Sequence, residues 1–421
     1  MNRLTYILLI YLLLPLALLK LLWRAIRQPE YLQHVAERFG FYPAARPRQP
    51  LIWLHAVSVG ETRAAAPLVA LLRQRYPGHA ILLTHTTPTG RAASEQLFGD
   101  SVLRGYLPYD LPGATARFLR HFQPRIGLLM ETELWFNLIA ACGKRGIPLL
   151  LVNARLSEKS ARGYARLGRL AANGLGKLTA IAAQTEADAT RLRQLSAPRV
   201  SVMGNLKFDV TPPPEAQQQG QALRKLFGAG RPVFLAASTR DGEEALVLDA
   251  VQSLDMPELL TVIVPRHPQR FDAVAALLQK REIPYLRRSE ATAAGADCKV
   301  VLGDSMGEMF AYYAACDIAF IGGSLLPLGG QNLIEACAMG KPVLIGPHTF
   351  NFAEAATQAT QCGAARRVPD EEGLARALAE LLADASQQGR MGRAGLDFSA
   401  ANRGAAQRAT QLVGDVLGSR G

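Results

Sequence analysis

The chain has 421 residues, of which 49% are hydrophobic, and this is enough apolar material for the cores of two domains of ordinary size. The composition excludes a disordered or fibrous protein. Lys and Arg outnumber Asp and Glu by 47 to 35, so the net charge of +12 indicates an anionic partner: a nucleic acid, an acidic lipid or a phosphorylated substrate. The five cysteines form no CxxC pair, which argues against a disulfide framework or a zinc site and favours a reducing compartment.

The chain begins with an apolar segment. Residues 4–19 carry no charge, and the apolar stretch continues to Trp23 if Lys20 reaches toward the lipid headgroups. The segment is just long enough for a transmembrane helix, and Pro15 predicts a kink in it. More basic residues follow the segment than precede it, which places the rest of the protein in the cytoplasm. We therefore predict a membrane anchor over residues 1–27, with an interfacial helix or a helix docked on the protein itself as the alternatives.

From residue 50 onward, short apolar runs alternate with amphipathic stretches, as in successive βα units. Continuous apolar runs are typical of parallel strands that are covered by helices on both faces. The first series of predicted strands comprises residues 51–54, 80–84, 126–130, 148–152, 180–183 and 200–203. The second series comprises residues 233–236, 261–264, 299–302, 318–321 and 343–345.

A proline-rich, polar segment separates the two series. Residues 211–221 contain three prolines, which predicts an interdomain linker. The sequence thus predicts an α/β protein with two doubly wound, Rossmann-like domains, 28–210 and 222–421, that face a cleft. The last helix of the second domain could pack back on the first. In such sheets ligands bind beyond the carboxyl ends of the strands, so the residues that follow each run are the candidate site residues.

Carboxylates follow two of the predicted strands in the first half. Glu61, in HAVSVGET, follows the run 51–54 through a turn that contains a glycine, and a helix N-terminus after this turn would keep the pKa of Glu61 low. The alternative is a carboxylate that serves only the helix start. Glu131 and Glu133, in METELW, directly follow the run 126–130. One of these groups could act as a general base toward a hydroxyl, and another could orient the acceptor or stabilise charge.

Basic side chains lie at corresponding places further along the chain. Arg266 and His267, in PRHPQR, end a predicted strand, and Lys207, in GNLKFD, lies near the linker. Taken singly, each is more simply explained as a solvated residue at the end of a loop. Their occurrence beside two glycine-containing loops strengthens the prediction of an anion site.

The two loops of the second half each lead into a predicted helix. The turn GDSMGEM, residues 303–309, could present its amides to a phosphate, and the glycine-rich loop that begins at residue 322 precedes a predicted helix over 332–339. Glu335 on this helix could accept hydrogen bonds from ribose hydroxyls. Its alternative is an ordinary solvent-facing position on the helix.

At these residues the sequence resembles the 3-deoxy-D-manno-oct-2-ulosonic acid (Kdo) transferases, membrane-anchored GT-B glycosyltransferases of lipid A and lipopolysaccharide biosynthesis. The resemblance covers nearly the whole chain and rests on the order of HAVSVGET, METELW, GNLKFD, PRHPQR, DSMGEM and GGSLLPLGGQNLIEA. It implies that Glu61 is the general base and that Glu131 and Lys207 stabilise the transition state. The positions that it implies for binding cytidine monophosphate (CMP) are Arg266, His267, Gly307, Glu308, Met309, Asn332, Leu333, Ile334 and Glu335.

The resemblance also implies the reaction and its partners. The donor is CMP-Kdo, the acceptor is the lipid A precursor lipid IVA, and Kdo is transferred with inversion while CMP is released. The implied setting is the bacterial inner membrane, with the catalytic domains on the cytoplasmic face, membrane lipids as partners and no nucleic acid. No DxD motif follows a strand, so we expect no metal and no cofactor. Two alternatives stay open: a GT-B-like nucleotide-sugar epimerase, and a non-catalytic, membrane-tethered protein that binds anionic lipid.

Overall fold

The computed structural model describes residues 1–43, 46–290, 293–295 and 297–418. The chain divides into two compact units. Unit 1 comprises Met1–Asp209 together with the C-terminal segment from Arg403, and unit 2 comprises Val210–Asn402.

The helices and strands alternate along most of the chain. The helices are α1 (Arg3–Arg27), α2 (Val59–Ala64), α3 (Ala66–Arg75), α4 (Pro88–Phe98), α5 (Pro112–Phe122), α6 (Phe136–Lys144), α7 (Glu158–Leu167), α8 (Arg169–Leu175), α9 (Glu186–Gln194), α10 (Ala216–Phe227), α11 (Glu243–Gln252), α12 (Phe271–Lys280), α13 (Met309–Ala315), α14 (Ile334–Ala338), α15 (Ala353–Gln361), α16 (Glu371–Ala383), α17 (Ala385–Asn402) and α18 (Ala405–Gly418). The strands are β1 (Leu51–His55), β2 (Ala80–His85), β3 (Leu103–Tyr106), β4 (Ile126–Met130), β5 (Leu149–Ala154), β6 (Ala180–Ala183), β7 (Val200–Val202), β8 (Val233–Thr239), β9 (Leu260–Pro265), β10 (Tyr285–Arg287), β11 (Val300–Leu302), β12 (Ile318–Ile321), β13 (Val343–Ile345) and β14 (Ala365–Arg367).

Unit 1 is built on one parallel sheet. Within the described residues its strand order is β3-β2-β1-β4-β5-β6-β7, and every neighbouring pair is parallel. The direction of strand addition reverses between β1 and β4. This reversal is the topological switch point, beyond which ligands bind in open α/β sheets.

The strands of unit 1 are buried on both faces. In β1, Ile52 and Leu54 point to one side of the sheet, where they join a core that includes Val413 of α18. Leu51 and Trp53 point to the other side and join a second core. Because successive side chains of a strand alternate between faces, a run of apolar residues supplies both layers at once.

Unit 2 has its own parallel sheet, which in the described part of the chain has the order β10-β11-β9-β8-β12-β13-β14. Its switch point lies between β8 and β12. Phe234 of β8 and Phe320 of β12 share a core with Leu374 and Leu378 of α16. Each unit therefore has the predicted doubly wound α/β fold, and an apolar helix precedes the first unit's sheet. The predicted fold class is confirmed.

The segment predicted as a linker, residues 211–221, is helical from Ala216 onward, where α10 begins. Alanine and glutamine favour a helix, and the helix buries Leu223 and Phe227. Gly220 lets α10 approach α13 closely, because a Cβ at this position would lie 2.2 Å from the Cβ of Ala314. The prolines that suggested a linker lie before the helix.

The C-terminal helix α18 belongs to unit 1, whereas the sequence assigned it to the second domain and left open that it packs on the first. Ala409 and Val413 lie in the core beside β1 and β4. The Asp209 carboxylate accepts hydrogen bonds from the amides of Gly404, at 2.5 Å, and Ala406, and so caps the start of the helix.

The N-terminal apolar segment forms α1, which contains Pro15 without ending there. Among the helices of the described residues, α1 is the one that is long and apolar enough to cross a membrane, by length and composition. These properties fit the predicted membrane anchor.

Candidate functional site

Glu61 lies at the switch point of unit 1, in the first turn of α2 after β1. Ser58 is the N-cap of this helix, and its hydroxyl oxygen accepts a hydrogen bond from the Glu61 amide at 3.3 Å. The Glu61 carboxylate accepts hydrogen bonds from the Val57 amide and the Ser58 hydroxyl, each at 2.9 Å. This reciprocal arrangement resembles a capping box, so Glu61 does stabilise a helix start.

The environment of Glu61 also changes its acidity. The side chain is buried, and this burial raises its pKa to about 7, with a further increase from the negative charges of Glu131 and Glu133. The hydrogen bonds from Val57 and Ser58 lower the pKa but do not offset the burial. The prediction of a low pKa is therefore wrong, because loss of hydration outweighs the helix N-terminus. A carboxyl group with a pKa near neutrality is well suited to accept a proton from a hydroxyl.

Glu131 lies on the other side of the same switch point, directly after β4. Its backbone is left-handed, with φ +56°, and its amide continues the sheet by donating to the carbonyl of Val152 at 3.0 Å. A non-glycine residue in this conformation costs about 1–2 kcal/mol, so the fold holds a strained residue at the strand end. The structure brings Glu61 and Glu131 together, since the charge of Glu131 raises the pKa of Glu61.

Glu133 is the third carboxylate of this group. It accepts a hydrogen bond from the indole nitrogen of Trp135 at 2.8 Å, and burial raises its pKa. No group of three or more His, Cys, Asp or Glu in the described ranges is arranged to hold a metal ion. Within this acidic cluster, Glu61 and Glu133 are therefore held by separate hydrogen bonds.

Lys207 lies in a short turn after β7, and its backbone is fixed by a network of amide side chains. Asn153 of β5 accepts a hydrogen bond from the Leu206 amide, and Asn205 accepts one from the Lys207 amide, both at 3.0 Å. Gln184 links these two, since it accepts from the Asn205 side chain and donates to the Asn153 carbonyl. Sequence analysis missed Asn153 and Gln184, although each is a polar residue at the end of an apolar run.

Arg266 follows β9 in unit 2 and bridges two neighbouring segments. Its amide donates to the Thr239 carbonyl at the end of β8, at 2.9 Å. Its guanidinium Nε donates to the side-chain oxygen of Gln331 at 3.1 Å. Arg266 is half-buried and His267 is exposed, so the first is fixed by the fold and the second faces solvent.

The glycine-rich loop begins directly after β12, where the end of β8 passes very close. A Cβ on Gly322 would lie 2.5 Å from the carbonyl oxygen of Ser238 and 2.6 Å from the Cα of Thr239. Neither contact is possible for a side chain, so this position requires glycine. The loop therefore starts at the switch point of unit 2.

Glu243, at the start of α11, holds this loop in place. Its carboxylate is fully buried and accepts hydrogen bonds from the amides of Gly323 and Leu325, the second at 3.0 Å. It also accepts from the Arg240 amide at 3.0 Å. Sequence analysis missed Glu243, since a glutamate in the first turn of a helix is an ordinary feature of a surface helix.

The helix after the loop is shorter than the predicted 332–339. Asn332 donates to Glu335 at 3.0 Å and accepts from the Ile334 amide at 3.1 Å, which fixes Glu335 on the first turn of α14. The side chains of Leu333 and Ile334 are buried, so only the backbone of these two predicted binding residues can reach a ligand.

The third predicted segment of unit 2 also approaches the end of β8. The backbone of Gly307 is left-handed, with φ +83°, as the turn before α13 requires. Glu308 forms an ion pair with Arg288 at 3.1 Å. The Met309 sulfur lies 4.0 Å from the Ser238 hydroxyl, so the DSMGEM turn and the β8 end are in contact.

Comparisons with known proteins show which family the chain resembles. Residues 33–210 match the family model described as 3-deoxy-D-manno-octulosonic-acid transferase (kdotransferase), and residues 245–397 match that of glycosyl transferases group 1. The 3-deoxy-D-manno-octulosonic acid transferase of Bordetella pertussis is 46% identical over 413 residues, which cover 94% of this chain and 95% of the relative.

Two solved structures resemble the fold alone. A glycosyltransferase from Rickettsia africae has a TM-score of 0.57 at 14% identity and covers 88% of this chain and 99% of that one. The UDP-GlcNAc 2-epimerase of Neisseria meningitidis, bound to UDP-GlcNAc, has a TM-score of 0.54 at 18% identity and covers 86% of this chain and 99% of that one. Since both scores are similar, the fold by itself does not separate a transferase from an epimerase.

Proposed function

The chain belongs to the 3-deoxy-D-manno-octulosonic acid transferase family of glycosyltransferases, and we propose that it transfers Kdo from CMP-Kdo to lipid IVA, with inversion and without a metal ion. The observation that carries the proposal is Glu61, a buried carboxyl with a pKa near 7 that shares the switch point of unit 1 with Glu131. A binding protein without catalytic activity would have no use for this acidity.

In the proposed reaction, Glu61 takes the proton of the acceptor hydroxyl while the hydroxyl oxygen attacks the anomeric carbon of Kdo. The bond from that carbon to the CMP phosphate breaks, and its electron pair leaves with CMP. Attack opposite the leaving group inverts the configuration. Glu61 then releases its proton to solvent, which a group with a pKa of about 7 does readily at neutral pH.

Unit 2 is the proposed site of the CMP portion of the donor. Arg266 would neutralise charge on the departing phosphate, and the amides of the glycine-rich loop would add hydrogen bonds. Lys207 is proposed to stabilise the transition state. Glu335 would accept hydrogen bonds from the ribose hydroxyls. Glu131 would stabilise the positive charge that develops on the sugar as the bond to CMP breaks.

The proposed location is the cytoplasmic face of the bacterial inner membrane, with α1 as the anchor and membrane lipids as partners. The net charge of +12 favours a surface of anionic lipid and a phosphorylated acceptor. The proposal assigns no role to nucleic acid.

Incubation of the purified protein with CMP-Kdo and lipid IVA tests the proposed activity. We expect CMP release that depends on the lipid, a lipid product heavier by one or more Kdo residues in mass spectrometry, and an unchanged rate with a chelator present. Nuclear magnetic resonance of the product reports inversion. CMP release without lipid, or no release at all, contradicts the proposed transfer.

Replacement of Arg266 or Glu335 by alanine is expected to weaken CMP binding by about 1–3 kcal/mol, the scale of a lost hydrogen bond to a charged group. Calorimetric titration with CMP measures this loss. The matched control is Arg281→Ala, a half-buried arginine directly after α12 whose guanidinium pairs with Asp249 at 2.5 Å. If both variants bind CMP as tightly as the control, neither residue belongs to the nucleotide site.

Deletion of residues 1–27 is expected to give a folded protein that no longer sediments with membranes, because the remaining chain keeps both sheets and the three cores that cover them. Circular dichroism and membrane flotation measure the two properties. A salt wash separates attachment through surface charge, which salt weakens, from apolar attachment. A truncated protein that stays on membranes after the wash shows that the anchor lies elsewhere.

A further inference from the structure

The two sides of α1 differ in exposure along its full length. One side is partly or fully covered by protein at positions that recur every three or four residues: Tyr6, Ile10, Leu14, Ala17, Leu21 and Ala25. The opposite side has exposed fractions of 56–81% at Leu8, Leu12, Leu16, Leu19, Trp23 and Ile26. We call this second set the apolar stripe. Such spacing marks two faces of one helix, so the helix lies against unit 1 with one face and leaves the other uncovered.

The beginning of α1 is bonded to the body of unit 1. The Tyr6 hydroxyl donates to the Asp110 carboxylate at 2.8 Å, and its ring meets that of Phe136 edge-on at 5.2 Å. The Arg3 guanidinium donates to the Asn137 side chain at 3.0 Å. Asp110 is buried and also accepts from the Asn137 amide at 2.9 Å, so this contact involves the capped start of α6.

The end of α1 is covered as well, since Leu21 and Ala25 are buried and Arg24 lies over the ring of Tyr31 at 5.6 Å. A helix of 25 residues is about 37 Å long, which exceeds the roughly 30 Å of a bilayer core. If α1 crossed the bilayer, its first turn would lie on the opposite side from unit 1. The contacts of Tyr6 place both ends on the same side.

We propose that α1 lies in the plane of the membrane rather than across it, docked along unit 1, with its apolar stripe in the acyl chains of a single leaflet. The inference rests on the proposed membrane attachment and specifies its geometry. The lipid occupant is favoured by charge, because Lys20, Arg24 and Arg27 are exposed beside the stripe and suit anionic headgroups. Trp23, next to Arg27 at 5.2 Å, suits the interfacial zone.

This geometry places the candidate site close to the membrane surface. Phe136, which Tyr6 contacts, begins α6 directly after the loop that carries Glu131 and Glu133. The in-plane helix and the acidic loop are thus connected through one aromatic contact. An acceptor lipid could therefore reach the loop while its acyl chains stay in the leaflet.

Cysteine labelling of the full chain in sealed membranes tests the inference. Asn2→Cys introduces a thiol before α1, and the exposed Cys362 of unit 2 is an internal reference, whereas Cys142, Cys298, Cys316 and Cys337 are buried. With a membrane-impermeant maleimide, we expect position 2 and Cys362 both to be modified in inside-out vesicles and both to be protected in intact spheroplasts. Thr5→Cys repeats the test if the loss of Asn2 frays the helix.

The possible outcomes distinguish the proposed in-plane orientation of α1 from the proposed membrane attachment. Modification of position 2 only from the side opposite Cys362 shows a spanning helix and overturns the inference, as does modification only after detergent. Recovery of the chain in the supernatant shows instead that the proposed attachment is wrong. Transfer activity, assayed separately, reports on the proposed function alone.

Depth-dependent fluorescence gives a second measurement. Leu12→Trp in a Trp23→Phe background places an indole in the middle of the apolar stripe, and the unaltered Leu12 in the same background is the control. An in-plane helix predicts stronger quenching by lipids brominated near the glycerol backbone than by lipids brominated near the chain ends. The reverse order places position 12 at the bilayer centre, and no quenching by either lipid points to a second protein copy on the stripe; both overturn the inference.

Discussion

Glu61→Gln is expected to lower the rate of Kdo transfer by about 10²–10⁴, the range for loss of a general base. Glutamine keeps the size of the side chain but cannot take the proton of the acceptor hydroxyl. The helix start should survive, because the amide oxygen can accept from the Val57 amide and the Ser58 hydroxyl can rotate to accept from the new amide nitrogen. Transfer rates, CMP affinity and thermal unfolding of this one variant provide the measurement.

The pH dependence of the parent provides a second check on Glu61. Only the ionised carboxylate can act as a base, so kcat/KM should fall as the pH is lowered through about 7. The variant should lack this dependence in its residual activity. A parent profile that is flat around neutrality would remove Glu61 from the role of base.

The free energy of unfolding should change with pH in the direction opposite to kcat/KM. Burial raises the pKa of Glu61 from its ordinary 4.5 to about 7, so the folded state binds the proton more tightly than the unfolded state does. The associated stability is fully present below pH 4.5 and is lost as the pH rises through 7, by about 3 kcal/mol. Glu61→Gln cannot lose it, so denaturant unfolding should favour the variant more at pH 8 than at pH 5.

Glu158→Gln is the matched control for the helix start, since Glu158 is exposed in the first turn of α7, after a serine N-cap. It should cost about 0.3–1 kcal/mol at most and leave transfer intact. If Glu61→Gln behaves like this control in both rate and stability, Glu61 serves only the helix and the proposed mechanism fails.

The sequence predicted the interior of each sheet better than its edges. All of the predicted runs contain strands, but β3, β10 and β14 were missed, and each lies at the edge of its sheet. An edge strand has one neighbour and is more exposed to water, so it tolerates polar residues such as Arg104, Arg287 and Arg366. A search for continuous apolar runs therefore passes over it.

In the candidate site, too, the sequence predicted some features and could not predict others. That Glu61 and Glu131 follow strands was visible in the chain, but their meeting depends on β1 and β4 being neighbours, which only the strand order determines. The pKa of Glu61 depends on how deeply the carboxyl is buried, and no local motif reports this. The supporting carboxylate of Glu243 binds loop amides that are 80 and 82 residues away in the chain, so its local sequence carries no recognisable signal of this role.

The buried carboxylate of Glu243 fixes the position of the glycine-rich loop. A buried carboxylate without a basic partner in its own hydrogen-bond set is costly to desolvate, and here it is balanced by the amides of Arg240, Gly323 and Leu325. Two of these amides belong to the loop that starts at the switch point of unit 2. The carboxylate thus connects the start of α11 to the proposed CMP site.

Glu243→Ala is accordingly expected to destabilise the protein by about 3–9 kcal/mol, because three amides, of which those of Gly323 and Leu325 are buried, lose their acceptor at about 1–3 kcal/mol each. The loop should lose its fixed conformation, so CMP binding should weaken together with stability. Thermal unfolding with and without CMP measures both effects.

Glu243→Gln is a second variant for the case in which the alanine variant does not fold. Glutamine keeps one acceptor oxygen but turns its amide group toward a backbone donor. The stability and the CMP affinity of this variant should therefore lie between those of the parent and of the alanine variant. Glu258→Gln, at an exposed position of the same unit, should change neither quantity. A Glu243→Gln protein with the stability and CMP affinity of the Glu258→Gln control would show that the loop does not depend on this carboxylate.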